Sequence, residues 1–436
     1  MTVVEATAAA PAGSVVPAVP VAPAKAVAKA RFIGDRAAYW RLLIRGAVLL
    51  AVTLGIYRFW FATDQRRFLW AHTEIAGETL EYSGTPYELL IGFLIAVAVL
   101  VPLNVLLFLA ALSLPIGELT GVLAFPLLAF LGHYAIYRAR RYRLTRTIYR
   151  GVRCHQTGSA LRYAVRAIFW WSLILLTLGL AYPFAQANLE RFKLRNTFYG
   201  DLGGSFAGSG FRLFLRGFLM WLLVIGPLVA ALAVAVSEVD WKRLLASAAS
   251  TSDAGSFIEQ LEGAFPGFYS VAVVSIAAVT ASVVFAAMLF PVLQAMVLRW
   301  WLSGLRFGAL SVRSRLRVRD IYGAYLRFLL YGFLFTIASG IAAGLGFVAF
   351  GALSPALQSS DLTEVAGAIG AVAYYVVLML GFSTIYQGTV KLALWQRAVE
   401  SVEIEGAEVL DHVKAEGVAS SAVGEGLADA LNVGGI

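Results

Sequence analysis

Few side chains in this chain stand where they could do chemistry. His133 is the one histidine inside an apolar segment, and Asn104 and Gln294 each follow a proline, Pro102 and Pro291, within another. An ionisable or amide side chain at membrane depth is costly, so each is a candidate for a solute path. Proline beside an amide can mark a broken helix lining such a path, or the amide can simply bond a neighbouring helix. His133 lies a turn from a run of arginines, where anchoring at the interface competes with a role on a path. No HExxH, GxSxG, Walker-type or CxxC motif occurs, and no nucleophile can be paired with a base, so no enzymatic activity is expected. Cys154 is the only cysteine, which excludes an internal disulfide. No Cys/His spacing resembles a metal site, and no cofactor is implied.

The elements that must hold these residues are apolar and long. The 436 residues are 60% hydrophobic and 14% charged, with mean hydropathy +0.77, well outside the range of soluble domains. Eight apolar segments stand out: 46–61, 89–112, 119–137, 164–184, 213–236, 270–297, 326–350 and 366–389. Between them lie basic loops. Loop 138–162 carries eight arginines and no acid, and loop 298–325 carries six against Asp320. The stretch 185–216 is also basic. Cytoplasmic flanks of membrane helices are expected to be basic, so the +9 net charge does not call for nucleic acid. The same arginines could meet anionic lipid headgroups.

Taking those loops as cytoplasmic leaves segment 164–184 with cytoplasmic sequence at both ends, and segment 46–61 is the same case. Both contain Thr-Leu-Gly, at Thr53-Leu54-Gly55 and Thr177-Leu178-Gly179. Six crossings and two re-entrant or interfacial hairpins follow; eight crossings with imperfect charge bias is the alternative. The fold expected is a mainly α helical bundle of six to eight membrane segments, with short cytoplasmic β-hairpins. The Ala/Pro-rich stretch 1–30 reads as a disordered tail, 31–412 as the multi-pass membrane domain, and 413–436 as a C-terminal cytoplasmic tail. Both termini are then cytoplasmic.

The hairpins come from an internal repeat. The sequence from Thr53 aligns with that from Thr177, and a third partial copy lies between them. Arg67, Arg141 and Arg191 align, as do Thr73, Thr147 and Thr197, and Gly84, Gly158 and Gly208. Weaker echoes occur at 305–319 and 399–413. Each unit reads as a basic helix end, a short β-prone run, a turn, a second run and a Gly-Ser/Thr before the next helix. These nine positions are expected to be structural.

TLGIYRFW followed by Arg-Arg, the stretch Thr73–Gly77, LEYSGT, and the ending SAVGEGLADALNVGGI resemble the YjgN family of bacterial inner-membrane proteins. The resemblance covers about residues 31–436. It implies a multi-pass inner-membrane protein and, because the family's function is unknown, no substrate and no catalytic residue. The leading functional expectation is a transporter- or channel-like permease. The alternative is a membrane scaffold whose cytoplasmic hairpins dock a protein partner.

Overall fold

In the computed structural model the described residues are 27–113, 117–238, 242, 267–353, 361–417, 419–431 and 433. Residues 1–26, most of the stretch read as a disordered tail, lie outside them.

Ten short strands alternate with helical hairpins. The order is β1 (Val27–Phe32), α1 (Arg36–Val52), α2 (Arg58–Ala71), β2 (Thr73–Ile75), β3 (Glu78–Tyr82), α3 (Pro86–Ser113) and α4 (Gly117–Thr145). Then come β4 (Thr147–Tyr149), β5 (Val152–Gln156), α5 (Ala160–Leu176), α6 (Tyr182–Arg195), β6 (Thr197–Tyr199) and β7 (Leu202–Phe206). They are followed by α7 (Gly210–Glu238), α8 (Phe268–Gly304), β8 (Leu305–Phe307), β9 (Leu310–Ser314), α9 (Val318–Leu353) and α10 (Asp361–Tyr386). A π turn at Gln387–Lys391 leads into α11 (Leu392–Glu400), β10 (Val402–Glu405), a 3-10 turn (Ala407–His412) and α12 (Val423–Ala430).

Every strand pairs antiparallel with its neighbours in sequence, and β10 pairs with β1, Ala28 standing opposite Ile404. The result is a closed up-and-down barrel. Tight turns join strands at one end. At the other end, the foot, each strand pair is bridged by a pair of helices. Ala76-Gly77 and Arg150-Gly151 both take positive φ, the condition of a type I′ turn, which matches the twist of the flanking strands.

This corrects the helical bundle expected from the sequence. Isolated hairpins present unpaired edges, and closure removes every edge at once. The β1 strand that completes the ring begins in sequence read as tail. Among the described residues five helical stretches are long and apolar enough to cross a membrane: Pro86–Leu112, Gly210–Glu238, Tyr269–Gly304, Val318–Ala352 and Glu364–Glu400. Neither Thr-Leu-Gly segment is among them, nor is α4.

The two Thr-Leu-Gly segments fold alike. Thr53 Oγ donates to the Leu49 carbonyl (2.7 Å) and accepts from the Tyr57 amide (3.0 Å), while the Gly55 amide bonds the Leu50 carbonyl (2.8 Å). In the second copy Thr177 bonds Leu173 (2.7 Å) and Ala181 (3.1 Å), and Gly179 bonds Ile174 (2.7 Å). Leu54 and Leu178 carry φ of 50° and 49°. The bond from each glycine amide back to the helix is a Schellman closure. Each segment is therefore a helix–turn–helix with both ends on the barrel. At 17 residues, α1 and α5 are roughly 25 Å long, short of a bilayer's apolar core.

The strands alternate faces. Lys29, Arg31, Glu81 and Arg313 point outward and are exposed, while Ala30, Tyr149, Tyr199, Leu310, Val312 and Ile404 are buried inside. The Tyr199 hydroxyl donates to the Tyr149 carbonyl (3.0 Å) and the Tyr149 hydroxyl to the Ile75 carbonyl (2.8 Å). Ala407 and Leu410 of the 3-10 turn pack onto the interior cluster. Inside the ring Leu310, Val312 and Ile404 form a buried cluster with Ala28, Ile75 and Val402 packed against it.

The chain then runs outside the barrel and inserts α12 between α3 and α4. Ala428 packs on Ala135 and Ala139. The contact is close because Gly426 lies against the backbone of Gly92; a Cβ there would overlap it.

Candidate binding site at the foot of the barrel

Where helices run into strands, the last helical carbonyls need donors. Thr73, Thr147 and Thr197 supply them, each hydroxyl donating to the carbonyl four residues back: Leu69 (2.7 Å), Arg143 (2.9 Å) and Lys193 (2.8 Å). Each hydroxyl also receives a bond from the neighbouring hairpin: Trp395 to Thr73 (3.0 Å), Trp70 to Thr147 (3.0 Å) and Arg140 to Thr197 (3.4 Å). Arg67 reaches the Gly84 carbonyl (3.0 Å), Arg191 the Gly208 carbonyl (3.1 Å), and Arg141 likewise bonds Gly158. All nine motif residues thus stitch helix ends to strand ends. The repetition of Arg, Thr and Gly at fixed spacing is the demand of that joint.

The residues just inward of the motif form an ionic network. Arg66, on α2, pairs with Glu425 on α12 and donates to the Tyr82 hydroxyl (3.2 Å). Arg143 Nε lies 3.9 Å from the same Glu425. On α6, Glu190 pairs with Lys193, lies 3.9 Å from Arg140, and accepts from the Trp301 indole (2.9 Å). Arg66, Glu190 and Glu425 are buried.

Burial acts on all the cations. It pulls Arg140, Arg143 and Lys193 below their ordinary values, against the opposing pull of Glu190 or Glu425. It also acts to lower Arg66, but Glu425 and Tyr82 outweigh it and the net shift is upward.

Two clefts lead to this network. One, of about 280 Å³, lies between α1, α2, α3, α10, the π turn and α12. Its apolar walls include Ala47, Leu50, Phe61 and Leu380, and its polar floor Arg58, Arg66, Lys391, Glu425 and Asp429. Arg58 pairs with Asp429 and stacks over the Phe93 ring, 4.2 Å from its centre. Lys391 belongs to the π turn, whose Gly388 lies against the ring of Trp40. Insertions of this kind occur often at functional sites. The second cleft, of about 370 Å³, is lined by Gln186, Glu190, Gln294 and Trp301 among apolar neighbours.

Of the three residues expected along a solute path, Gln294 lines the second cleft and accepts from the Tyr325 hydroxyl (3.0 Å). Asn104 donates to the Leu100 carbonyl of its own helix (2.8 Å). His133 sits beside Trp171, ring centres 6.1 Å apart. Neither lines the Gln294 cleft, so the structure does not bring the three together. Cys154 faces the barrel interior, where burial pushes its thiol up to about 12. Sequence reasoning missed Glu425 and Lys391. A glutamate between two glycines, Gly424 and Gly426, in a short apolar run was the available signal for the first; Lys391 left none.

The fold and the apolar helices define a membrane-associated protein: helical hairpins, five of their stretches long enough to span a bilayer, gathered on a closed β-barrel. The chain belongs to a family described as bacterial protein of unknown function (DUF898), whose model matches residues 28–430. The family resemblance drawn from the Thr-Leu-Gly and LEYSGT motifs is thereby borne out. No curated protein and no solved structure matches it.

Proposed function

We propose that this is a multi-pass protein of the bacterial inner membrane, non-enzymatic and permease-like, that takes an anionic amphiphile into the cleft beside Lys391. The barrel and both termini lie on the cytoplasmic side in this reading, as the basic loops around the foot favour. One observation carries it. Lys391 is half-buried at the floor of an apolar-walled cleft, and among the described residues no carboxylate lies within ion-pair distance of it. A buried cation needs a counter-charge, and a ligand with an anionic head and an apolar tail supplies one while covering the walls.

Lipid retained by the purified protein tests this. Native mass spectrometry of the wild type should show anionic lipid enriched over its membrane abundance, and Lys391→Gln should lose that enrichment. Equal enrichment in both would contradict the cleft. Exchange of a fluorescent anionic lipid in proteoliposomes no faster than in protein-free vesicles would contradict transport.

A further inference from the structure

Outside the barrel, where β1, β10 and the link from β9 to α9 meet the end of α11, lies a polar cleft of about 320 Å³. Five cations line it: Lys29 of β1, Arg315 and Arg317 of the link, Arg319 in the first turn of α9, and Arg397 of α11. Three carboxylates share it, Asp320, Glu400 and Glu403. Glu403 pairs with Arg315 (3.0 Å), and Glu400 with Arg397 (3.4 Å) and the Gln396 amide (2.7 Å). Lys29 stands opposite Glu403 in the β1–β10 register, yet that carboxylate is held by Arg315. Among the described residues no carboxylate lies within ion-pair distance of Lys29, Arg317 or Arg319. The lining is therefore net positive, with three of its cations unpaired.

The arginines of the link are presented on a pinned backbone. The Arg315 amide donates to the Ser401 carbonyl (2.9 Å), and the Ser314 and Ser401 hydroxyls are 2.8 Å apart. Leu316 is buried against Ala295 and Ile321, which leaves Arg315 and Arg317 on either side of it exposed. Cytoplasmic flanks call for basic residues, but not for their convergence on one cleft from three parts of the sequence. Like charges brought together in this way repel one another unless an anion lies between them.

Depth indicates where that anion comes from. Arg319 precedes the apolar run that begins at Leu326 by seven residues, and Arg397 follows the run that ends at Thr389 by eight. Along a helix these spacings are about 10–12 Å. The headgroup layer is only about 5–8 Å thick on each side of a bilayer, so the cleft opens to water beyond it. No aromatic ring lines the cleft, and nothing there would hold an apolar tail or stack a base. Guanidinium forks match phosphate oxygens, and two linked phosphates bring enough acceptors to engage all three unpaired cations.

We infer that this cleft binds a soluble ligand through two linked phosphate groups, with Lys29, Arg317 and Arg319 as the contacting cations. It shares no residue with the Lys391 cleft and does not rest on that reading.

Equilibrium dialysis of the full chain in detergent against radiolabelled pyrophosphate, at constant ionic strength and without divalent cations, tests this. Saturable binding is expected, with orthophosphate competing on the order of tenfold more weakly. Arg317→Gln and Arg319→Gln should each weaken binding on the order of tenfold, the loss of a hydrogen bond between charged groups. Both side chains are exposed and unpaired, so these variants should melt as the wild type does. Arg31→Gln, on the same strand as Lys29 but outside the cleft, should bind normally, and so should Lys391→Gln. Equal weakening by Arg31→Gln would mean diffuse surface charge and would overturn the inference. Dihexanoyl phosphatidylglycerol competing as strongly as pyrophosphate would overturn it too, since the ligand would then be a lipid headgroup. Binding that never saturates would do the same.

Discussion

The foot of the barrel has two halves built to one plan with opposite chemistry. From β2 to β6 the ring carries Thr73, Tyr82, Thr147, Gln156 and Thr197, with the arginine clasps and the ionic network around them. From β7 round to β1 the corresponding positions are Phe206, Leu305, Ser314, Val402 and Phe32, mostly apolar. There Leu194, Leu213, Phe206 and Trp300 bury one another, and the Trp300 indole donates to the Ser209 carbonyl (3.0 Å). The strands are equally short and the registers equally regular on both sides. Closing the ring therefore needs only a complete backbone ladder and a filled interior. Buried charge adds desolvation cost without improving closure. The polar half is where the buried charge of the foot is gathered.

Both halves should keep the barrel interior dry. With its thiol pushed up to about 12, Cys154 should react with maleimide at pH 8 roughly a thousandfold more slowly than an ordinary cysteine, since the thiolate is the nucleophile. In a Cys154→Ser background, Leu310→Cys on the apolar side should be as slow, and outward-facing Thr79→Cys fast. Rapid labelling at Cys154 would show the polar half open to solvent.

Removing the shared carboxylate comes next. Glu425→Ala leaves Arg66 without its acid and should lower stability by about 3–5 kcal/mol, measured by chemical denaturation in detergent. On the apolar side, Ile404→Val should cost about 0.5–1.5 kcal/mol. The clasps are smaller. Arg191→Lys gives up the bond to the Gly208 carbonyl and should cost about 1 kcal/mol. Arg67→Lys should match it, because the two joints share one geometry.

The smallest effect is a pH slope. Burial holds the Lys193 ammonium below its ordinary 10.5, with Glu190 opposing. Between the folded value and 10.5 the unfolded chain binds more protons than the folded one, so stability rises with pH across that window. Lys193→Met should flatten this slope in melting curves above neutral pH.

Much of this was legible in the sequence, and the rest was hidden for definite reasons. The spacing of Arg67, Thr73 and Gly84, repeated twice more, announced hairpins because each joint needs an arginine on a carbonyl and a threonine on a helix end. The doubled Thr-Leu-Gly announced two alike breaks. Closure was not legible, because β1 lies in an Ala/Lys-rich stretch at the edge of a Pro-rich tail and pairs with β10 more than 370 residues away. The ionic network was hidden by the positive-inside pattern: Arg140 and Arg143 read as topology signals, and their inward direction depends on the helix phase at the foot. Asn104 and His133 drew attention as polar groups in apolar segments; Asn104 bonds a carbonyl of its own helix and His133 lies beside Trp171.

The foot of the barrel exists only if the ring has an inside, and therefore only if β1 meets β10. In a Cys154→Ser background, the pair Ala28→Cys and Ile404→Cys places two inward-facing cysteines directly opposite one another. Oxidation of the membrane-embedded protein should cross-link them efficiently. The control pair Ala28→Cys and Val402→Cys, where Val402 stands opposite Ser314 instead, should cross-link far less. An open sheet would give no cross-link in the first pair, and that result would contradict the closed barrel and the site built at its foot.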